Sequence, residues 1–211
     1  MFGTHDLCLF VVSGLLLNIT PGVDFLYILG RSGTQGFVAG VFAALGISAG
    51  CIVHILAAAL GLSAVLATSA MAFTIVKWLG AAYLIYVGIS MLASNRTKVQ
   101  ILTAKLAHAA HARIFWQGFL TNVLNPKVAL FFLAFVPQFI DIGSPNKVAA
   151  FLFLGVVFNV NGTLWNIFVA WAAVRVLGHL DATASISLWI NRTLGALFVG
   201  LGVRLALSER G

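Results

Sequence analysis

The sequence predicts an all-α integral membrane protein: six transmembrane helices arranged as two inverted three-helix repeats, with proline-broken helices 1 and 4. Three observations predict it. The 211 residues are 61% hydrophobic and only 8% charged, with a mean hydropathy of +1.06, whereas soluble domains carry about 25% charged residues. The apolar runs are long enough for helices rather than for barrel strands. Two of those runs are interrupted near their middles by a proline and a full charge, at Asn18-Ile19-Thr20-Pro21-Gly22-Val23-Asp24 and at Asn122-Val123-Leu124-Asn125-Pro126-Lys127.

Each apolar segment can cross about 30 Å of hydrocarbon at about 1.5 Å per residue. The first runs from about Leu7 to Leu29, and Gly30-Arg31-Ser32-Gly33-Thr34-Gln35-Gly36 reads as the turn that ends it. It is too long for a signal peptide, has no Lys/Arg-rich lead and no cleavage site, and is expected to stay as a spanning helix. The second runs from about Phe37 to Ala67, with Gly36-x3-Gly40 and Gly46-x3-Gly50 at spacings that let helix backbones approach closely. The third runs from about Met71 to Ala93. The fourth runs from about Ile114 to Ile140, and the turn Asp141 to Lys147 follows. The fifth runs from about Val148 to Leu177, longer than a straight crossing needs; Asn159, Asn161, Gly162 and Asn166 interrupt it, so a tilt or a local break is expected. The sixth runs from about Leu188 to Leu207, where Arg192 and Arg204 can snorkel to the headgroups. Trp78 and Trp189 suit the interfacial belt.

Between the third and fourth segments lies the one extended polar stretch, Ser94 to Arg113. It divides a single transmembrane domain, residues 1–211, into a first repeat of about 1–94, a basic loop of about 95–113 and a second repeat of about 114–211. The chain has twelve Lys+Arg against five Asp+Glu. In a soluble protein that excess would suggest nucleic acid; here most of it falls in this loop and reads as topology, with no nucleic-acid partner. Positive charges at the helix ends then put the first, third and fifth loops in the cytoplasm and both termini outside, in a multi-pass protein of the cell inner (cytoplasmic) membrane. His108-x2-His111 has no further ligand near it and reads as solvated loop, not metal site. No metal or other cofactor is expected.

The two halves resemble each other. Gly14-Leu15-Leu16-Leu17-Asn18-Ile19-Thr20-Pro21-Gly22 matches Gly118-Phe119-Leu120-Thr121-Asn122-Val123-Leu124-Asn125-Pro126, and Leu79-Gly80-Ala81 matches Leu194-Gly195-Ala196 in the same order. Three spans per half is an odd number, so the second half must be inverted. Inverted repeats with broken helices are the pattern of secondary transporters, with the site at the repeat interface.

Proline removes a helical hydrogen bond, and in lipid the freed carbonyl needs a partner or a polar cavity. Thr20-Pro21 and Asn125-Pro126 each read as an N-cap followed by proline at the first helical position, so a half-helix is expected to start at each break. Such starts attract anions, and a substrate carboxylate would fit there. Asp24 in a first turn is favoured by the helix dipole and Lys127 is not, so Lys127 needs an anion: Asp24 or a substrate carboxylate. Either the two form a static ion pair between repeats, or substrate or a proton exchanges into that pair. His54 could carry a proton or be a hydrogen-bonded packing histidine. Asn159 and Asn161 could line the cavity or bridge helices. Asn18, Thr20, Pro21, Gly22, Asp24, His54, Asn122, Asn125, Pro126, Lys127, Asn159 and Asn161 are thus the candidate substrate- and proton-binding residues.

Thr20-Pro21-Gly22-x-Asp24-Phe25, Gly46-x3-Gly50-x3-His54, Leu79-Gly80-Ala81-Ala82-Tyr83-Leu84-x-Tyr86-x-Gly88 and Gly118-Phe119-Leu120-Thr121-Asn122-x2-Asn125-Pro126-Lys127 together resemble the LysE/RhtB family of bacterial amino-acid and homoserine exporters along nearly the whole chain. The resemblance implies efflux of amino acids or close derivatives (neutral amino acids, homoserine or threonine) driven by the proton gradient. It also implies functional weight for Pro21, Gly22, Asp24, Asn125, Pro126 and Lys127. The family pattern usually reads Pro-Gly-Pro, and Val23 replaces the second proline here. The partners expected are a small zwitterionic substrate, a coupling proton and the bilayer, and the reading allows a homo-oligomer. Two other classes stand beside it. A thiol or electron conduit needs Cys8 and Cys51 to meet, although both read better as small apolar residues. An enzyme has no nucleophile–base pair or phosphate loop to support it.

Overall fold

A computed structural model describes residues 2–62, 107–141 and 143–176, with scattered helical residues between 71 and 92 and between 196 and 207. The third and sixth apolar segments, most of the basic loop, Trp189, Arg192, Arg204 and the end motifs of the repeats therefore lie largely or wholly outside the described residues.

The described elements are helical: α1 (Leu7–Ile19), α2 (Val23–Gln35), α3 (Phe37–Ala57, prolonged by a π-helical turn over Ala58–Leu62), α4 (His111–Val123), α5 (Pro126–Leu130) and α6 (Lys147–Val176). After α5 the chain continues as a π-helical turn, Phe131–Phe135, and a 3-10 turn, Val136–Phe139. By length and apolarity α3 and α6 are each membrane spans, and α1 with α2 and α4 with the α5 segment qualify as spans bent by 56° and 47°. The chain is thus an all-α, multi-pass membrane protein.

The two bent spans run in opposite directions between the same two ends of the molecule. At one end, the N-terminal segment pairs with the chain leaving the 3-10 turn: Thr4 bridges Ile140 antiparallel, His5 N donates to Phe139 O and Asp141 N donates to Gly3 O. At the other, the end of α2 meets the start of α4, where Gln35 Nε2 donates to Ala109 O at 2.9 Å and Gln35 Oε1 accepts from Ala109 N at 3.1 Å.

Two apolar clusters fill the space between helices. The one on the Thr4–Ile140 side is rich in phenylalanine, with Phe10, Phe131, Phe132, Phe135, Phe139, Phe151 and Phe158. The one on the Gln35–Ala109 side is built from small residues, Ala39, Ala43, Ala44 and Ala170, with Ile28, Ile47, Ile114 and Val169. There α3 and α4 touch backbone to backbone. A Cβ on Gly50 would sit 2.6 Å from Phe119 O, and one on Gly118 would sit 2.7 Å from Ala43 O, so only glycine permits this approach.

Three expectations need correction. Gly30 to Gln35 is helix, not turn: Thr34 Oγ1 donates to Gly30 O and Arg31 Nη1 to Gln35 Oε1, so polar side chains close on their own helix. Gly36, at φ +85°, is the break between α2 and α3 and has nothing for a Cβ to meet within 4 Å, so Gly36-x3-Gly40 is not a helix-contact pair. Of the two alternatives for the fifth span, a tilt or a local break, the break does not occur. Its 30 residues form one helix, about 45 Å long, more than a perpendicular crossing requires.

Candidate functional site

The two breaks meet between the apolar clusters. At the second, Asn125 is the N-cap of α5: its Oδ1 accepts from Lys127 N at 3.0 Å, and Pro126 takes the first helical position. That is the arrangement the sequence predicts. The first break is built differently. Thr20 ends α1, its Oγ1 donating to Leu16 O at 2.8 Å; Pro21 lies in the gap; and Gly22, extended at φ −144°, starts α2 with no side-chain cap. Thr20 is thus a C-terminal residue and not an N-cap, and Pro21 is not a first helical residue.

Asp24 and Lys127 do not form a direct ion pair. Each is answered by the other half of the chain through neutral groups. Asp24 Oδ2 accepts from Asn122 Nδ2 at 2.8 Å and from Asn125 Nδ2 at 2.9 Å. Lys127 Nζ donates to Leu17 O at 2.8 Å and Thr20 O at 3.0 Å, the carbonyls freed where α1 ends. The physical reason is the dipole at each half-helix end: an ammonium is stabilised by the negative end of α1, and a carboxylate by the positive start of α2. The expectation that Lys127 needs an anion overlooked these carbonyls.

A polar cavity opens beside this cross-tie. Its lining includes Asn18, Thr20, Gly22, Asp24, Asn122, Lys127 and Asn159. The cavity has a free volume of about 30 Å³, room for roughly two waters. Among the described residues, three polar atoms of the lining side chains are buried without a partner: Asp24 Oδ1, Asn18 Nδ2 and Asn122 Oδ1. Leaving such groups unsatisfied costs about 1–3 kcal/mol each.

The remaining sequence-predicted residues do not line the cavity. Pro21 and Pro126 are exposed on the outside of their bends. Asn125 stands behind Asp24 as its donor. His54 Nε2 donates to Asn122 O at 2.9 Å, so it satisfies a carbonyl at the end of α4, as the packing reading of this residue expects. Asn161 Nδ2 donates to Val11 O at 3.3 Å and bridges α6 to α1. Three hydrogen-bonding residues of the lining were missed: Ser48, Thr163 and Asn166. Ser48 Oγ donates to Asn159 Oδ1 at 3.1 Å, and Thr163 Oγ1 donates to Ser48 Oγ at 2.9 Å. Asn159, Thr163 and Asn166 recur at i, i+4 and i+7, the spacing of one helix face, and that periodicity was the available signal. Cys51 lines the cavity from α3; Cys8 is exposed on α1; both are free thiols.

The family model described as LysE type translocator matches residues 15–209. An uncharacterised membrane protein of Pseudomonas aeruginosa is 33% identical over 209 residues, 98% of this chain and 97% of its own. A leucine efflux protein of Enterobacter sp. is 30% identical over 209 residues, 97% of each chain. A leucine efflux protein of Salmonella choleraesuis is 27% identical over 209 residues, 99% of this chain and 98% of its own. No solved structure matches the chain significantly.

Proposed function

Because the chain belongs to the LysE-type translocator family, and is therefore a transporter rather than an enzyme, we propose that it exports neutral amino acids or close derivatives across the cytoplasmic membrane. The observation that carries the reading is the cavity at the crossed breaks, where Asp24 Oδ1 and Asn18 Nδ2 are both buried and unpartnered. A zwitterion supplies both missing partners. Its ammonium binds Asp24 Oδ1, while Oδ2 stays on Asn122 and Asn125. Its carboxylate takes Asn18 Nδ2 and the third hydrogen of the Lys127 ammonium. The side chain then lies against Ile47, Phe158 and Val128, apolar members of the same lining. Relatives named leucine efflux proteins make leucine and similar aliphatic amino acids the first substrates to test.

The free space is too small for such a molecule without movement of the half-helices, so binding is coupled to opening. The antiparallel course of the two bent spans supports the inverted-repeat reading, with the first repeat at about 1–94 and the second at about 114–211. The end carrying Gln35 and Ala109 is cytoplasmic and both termini lie outside, since Arg31 and Arg113 fall on that side. Export is driven by proton exchange, with Asp24 as the group that trades proton for substrate ammonium.

The test is efflux from cells preloaded with a panel of amino acids, with and without an uncoupler. Leucine-like members should leave faster than from cells lacking the protein, and the uncoupler should remove the difference. If no member leaves faster, the exporter reading fails.

A further inference from the structure

Arg31 is a buried cation that the central site does not use. It is 5% exposed and lies at the end of α2, at the Gln35–Ala109 end of the molecule. Its Nη1 donates to Gln35 Oε1 at 2.9 Å and to Ala107 O at 3.1 Å, and its Nη2 donates to Gln117 Oε1 at 2.7 Å. Its guanidinium lies 5.6 Å from the centre of the Tyr27 ring. Tyr27 OH in turn donates to Ile114 O at 2.8 Å and approaches Gln117 Oε1 at 3.3 Å. Among the described residues none of the acceptors of Arg31 is anionic, and its Nε is buried without any partner.

A buried guanidinium is ordinarily held by a carboxylate, because neutral acceptors return only part of its lost hydration. Of its five N–H groups, that of Nε and one on Nη2 are open among the described residues, and these two atoms form the edge that a carboxylate grips with two parallel bonds. The same Nη2 donates to Gln117 Oε1, the bond that ties α2 to α4. A carboxylate arriving at this edge would satisfy Nε and compete with Gln117 for Nη2. It would therefore loosen the tie.

We propose that Arg31 and Gln117, with Gln35 and Tyr27, form a carboxylate-operated latch that closes this end of the transporter over the central cavity. The carboxylate is that of the transported amino acid on its way in, and this part rests on the exporter reading above. The latch itself does not rest on it. In its closed form Arg31 holds neutral partners; in its open form it holds the substrate carboxylate, and α2 and α4 separate.

The experiment uses the full chain in membranes with Cys8→Ala, so that Cys51 in the cavity wall is the reporter thiol. A membrane-impermeant maleimide is applied to one face in intact cells and to the other in inverted vesicles. Arg31→Gln is expected to raise the Cys51 alkylation rate about tenfold or more, the effect of losing charged hydrogen bonds from the closed state, and from the Gln35–Ala109 face only. Gln117→Leu, which spares the guanidinium, is expected to raise it in the same sense. Gln117→Glu places a permanent carboxylate in the hand of Arg31. It is expected to leave alkylation slow and to cut amino-acid efflux about tenfold. Wild-type alkylation rates in both Arg31→Gln and Gln117→Leu overturn the latch. Wild-type efflux in Gln117→Glu overturns the carboxylate trigger. If the unmodified protein moves no amino acid, the trigger falls with the exporter reading, and the alkylation rates still decide the latch.

Discussion

The two breaks look alike in sequence and differ in construction. At Asn125-Pro126 the chain supplies its own cap, and the first-turn donor Lys127 N is already taken by Asn125 Oδ1. At Thr20-Pro21-Gly22 no side chain caps the start of α2. The first break therefore presents an open helix start with Asp24 in its first turn, while the second presents a closed start with its charge sent across to the carbonyls of the first. In the proposed reading one break is the binding face and the other is the brace. The brace also reaches back, because Asn125 Nδ2 and Asn122 Nδ2 fix Asp24 Oδ2 and leave Oδ1 without a partner among the described residues.

The largest effect is expected at the binding face. Asp24→Asn keeps an oxygen for Asn122 and Asn125 to donate to, so the fold should hold. It removes the charge that receives an ammonium, a charge-assisted bond of about 1.5–3 kcal/mol, or roughly a ten- to hundredfold loss. Leucine efflux should fall by that factor with normal membrane insertion. Efflux at the wild-type rate would mean that Asp24 is part of the brace as well.

Next comes the brace. Lys127→Met leaves Leu17 O and Thr20 O without their donor at membrane depth, at about 1–3 kcal/mol. A lowered thermal midpoint in detergent should accompany the loss of efflux, whereas Asp24→Asn should leave the midpoint nearly in place. If the two variants behave alike, the distinction between face and brace is wrong.

A smaller, paired test compares the caps directly. Asn125→Ala removes a true N-cap, worth about 1 kcal/mol, together with one of the two donors to Asp24. Thr20→Val removes only a hydroxyl bond to Leu16 O, a carbonyl that also accepts from Thr20 N at 3.1 Å. Asn125→Ala should therefore lower the melting midpoint and the efflux rate clearly more than Thr20→Val. The reverse order would restore Thr20 to the capping role that its sequence suggests.

How much of this was legible follows from the same residues. The helical class, the spans and the meeting of the breaks follow from apolar run length and from two prolines near mid-run, which are local signals. Asn125-Pro126 was readable because its cap is local too. Thr20-Pro21 was misread because Thr-Pro and Asn-Pro are equivalent in pattern, and what separates them is Gly22, whose extended backbone moves the helix start two residues on. The partners of Lys127 were missed because backbone carbonyls carry no sequence signature, and those of Arg31 because residues 107 and 117 are distant in the chain. A run of Gly, Ser and Thr reads as turn until tertiary bonds hold it in helix. Ser48, Thr163 and Asn166 were overlooked because isolated polar residues in an apolar run draw attention only when the helix face is counted.

The smallest effect sharpens the comparison at its narrowest point. Gly22 starts α2 at φ −144°, a conformation open to any residue, and a Cβ there would lie 3.5 Å from Lys127 Nζ, an ordinary contact. Gly22→Ala should therefore fold normally, at a cost of about 0.5–1 kcal/mol for an alanine in place of a glycine N-cap. The methyl would still stand in the cavity wall between the open helix start and the ammonium. A rise of about threefold in the KM for leucine, with an unchanged maximal rate, is the expected signature of crowding at a binding face. A fall in the maximal rate at constant KM would instead show that Gly22 is needed as a hinge. The open break would then be the moving part of the site, with the ligand bound mainly elsewhere.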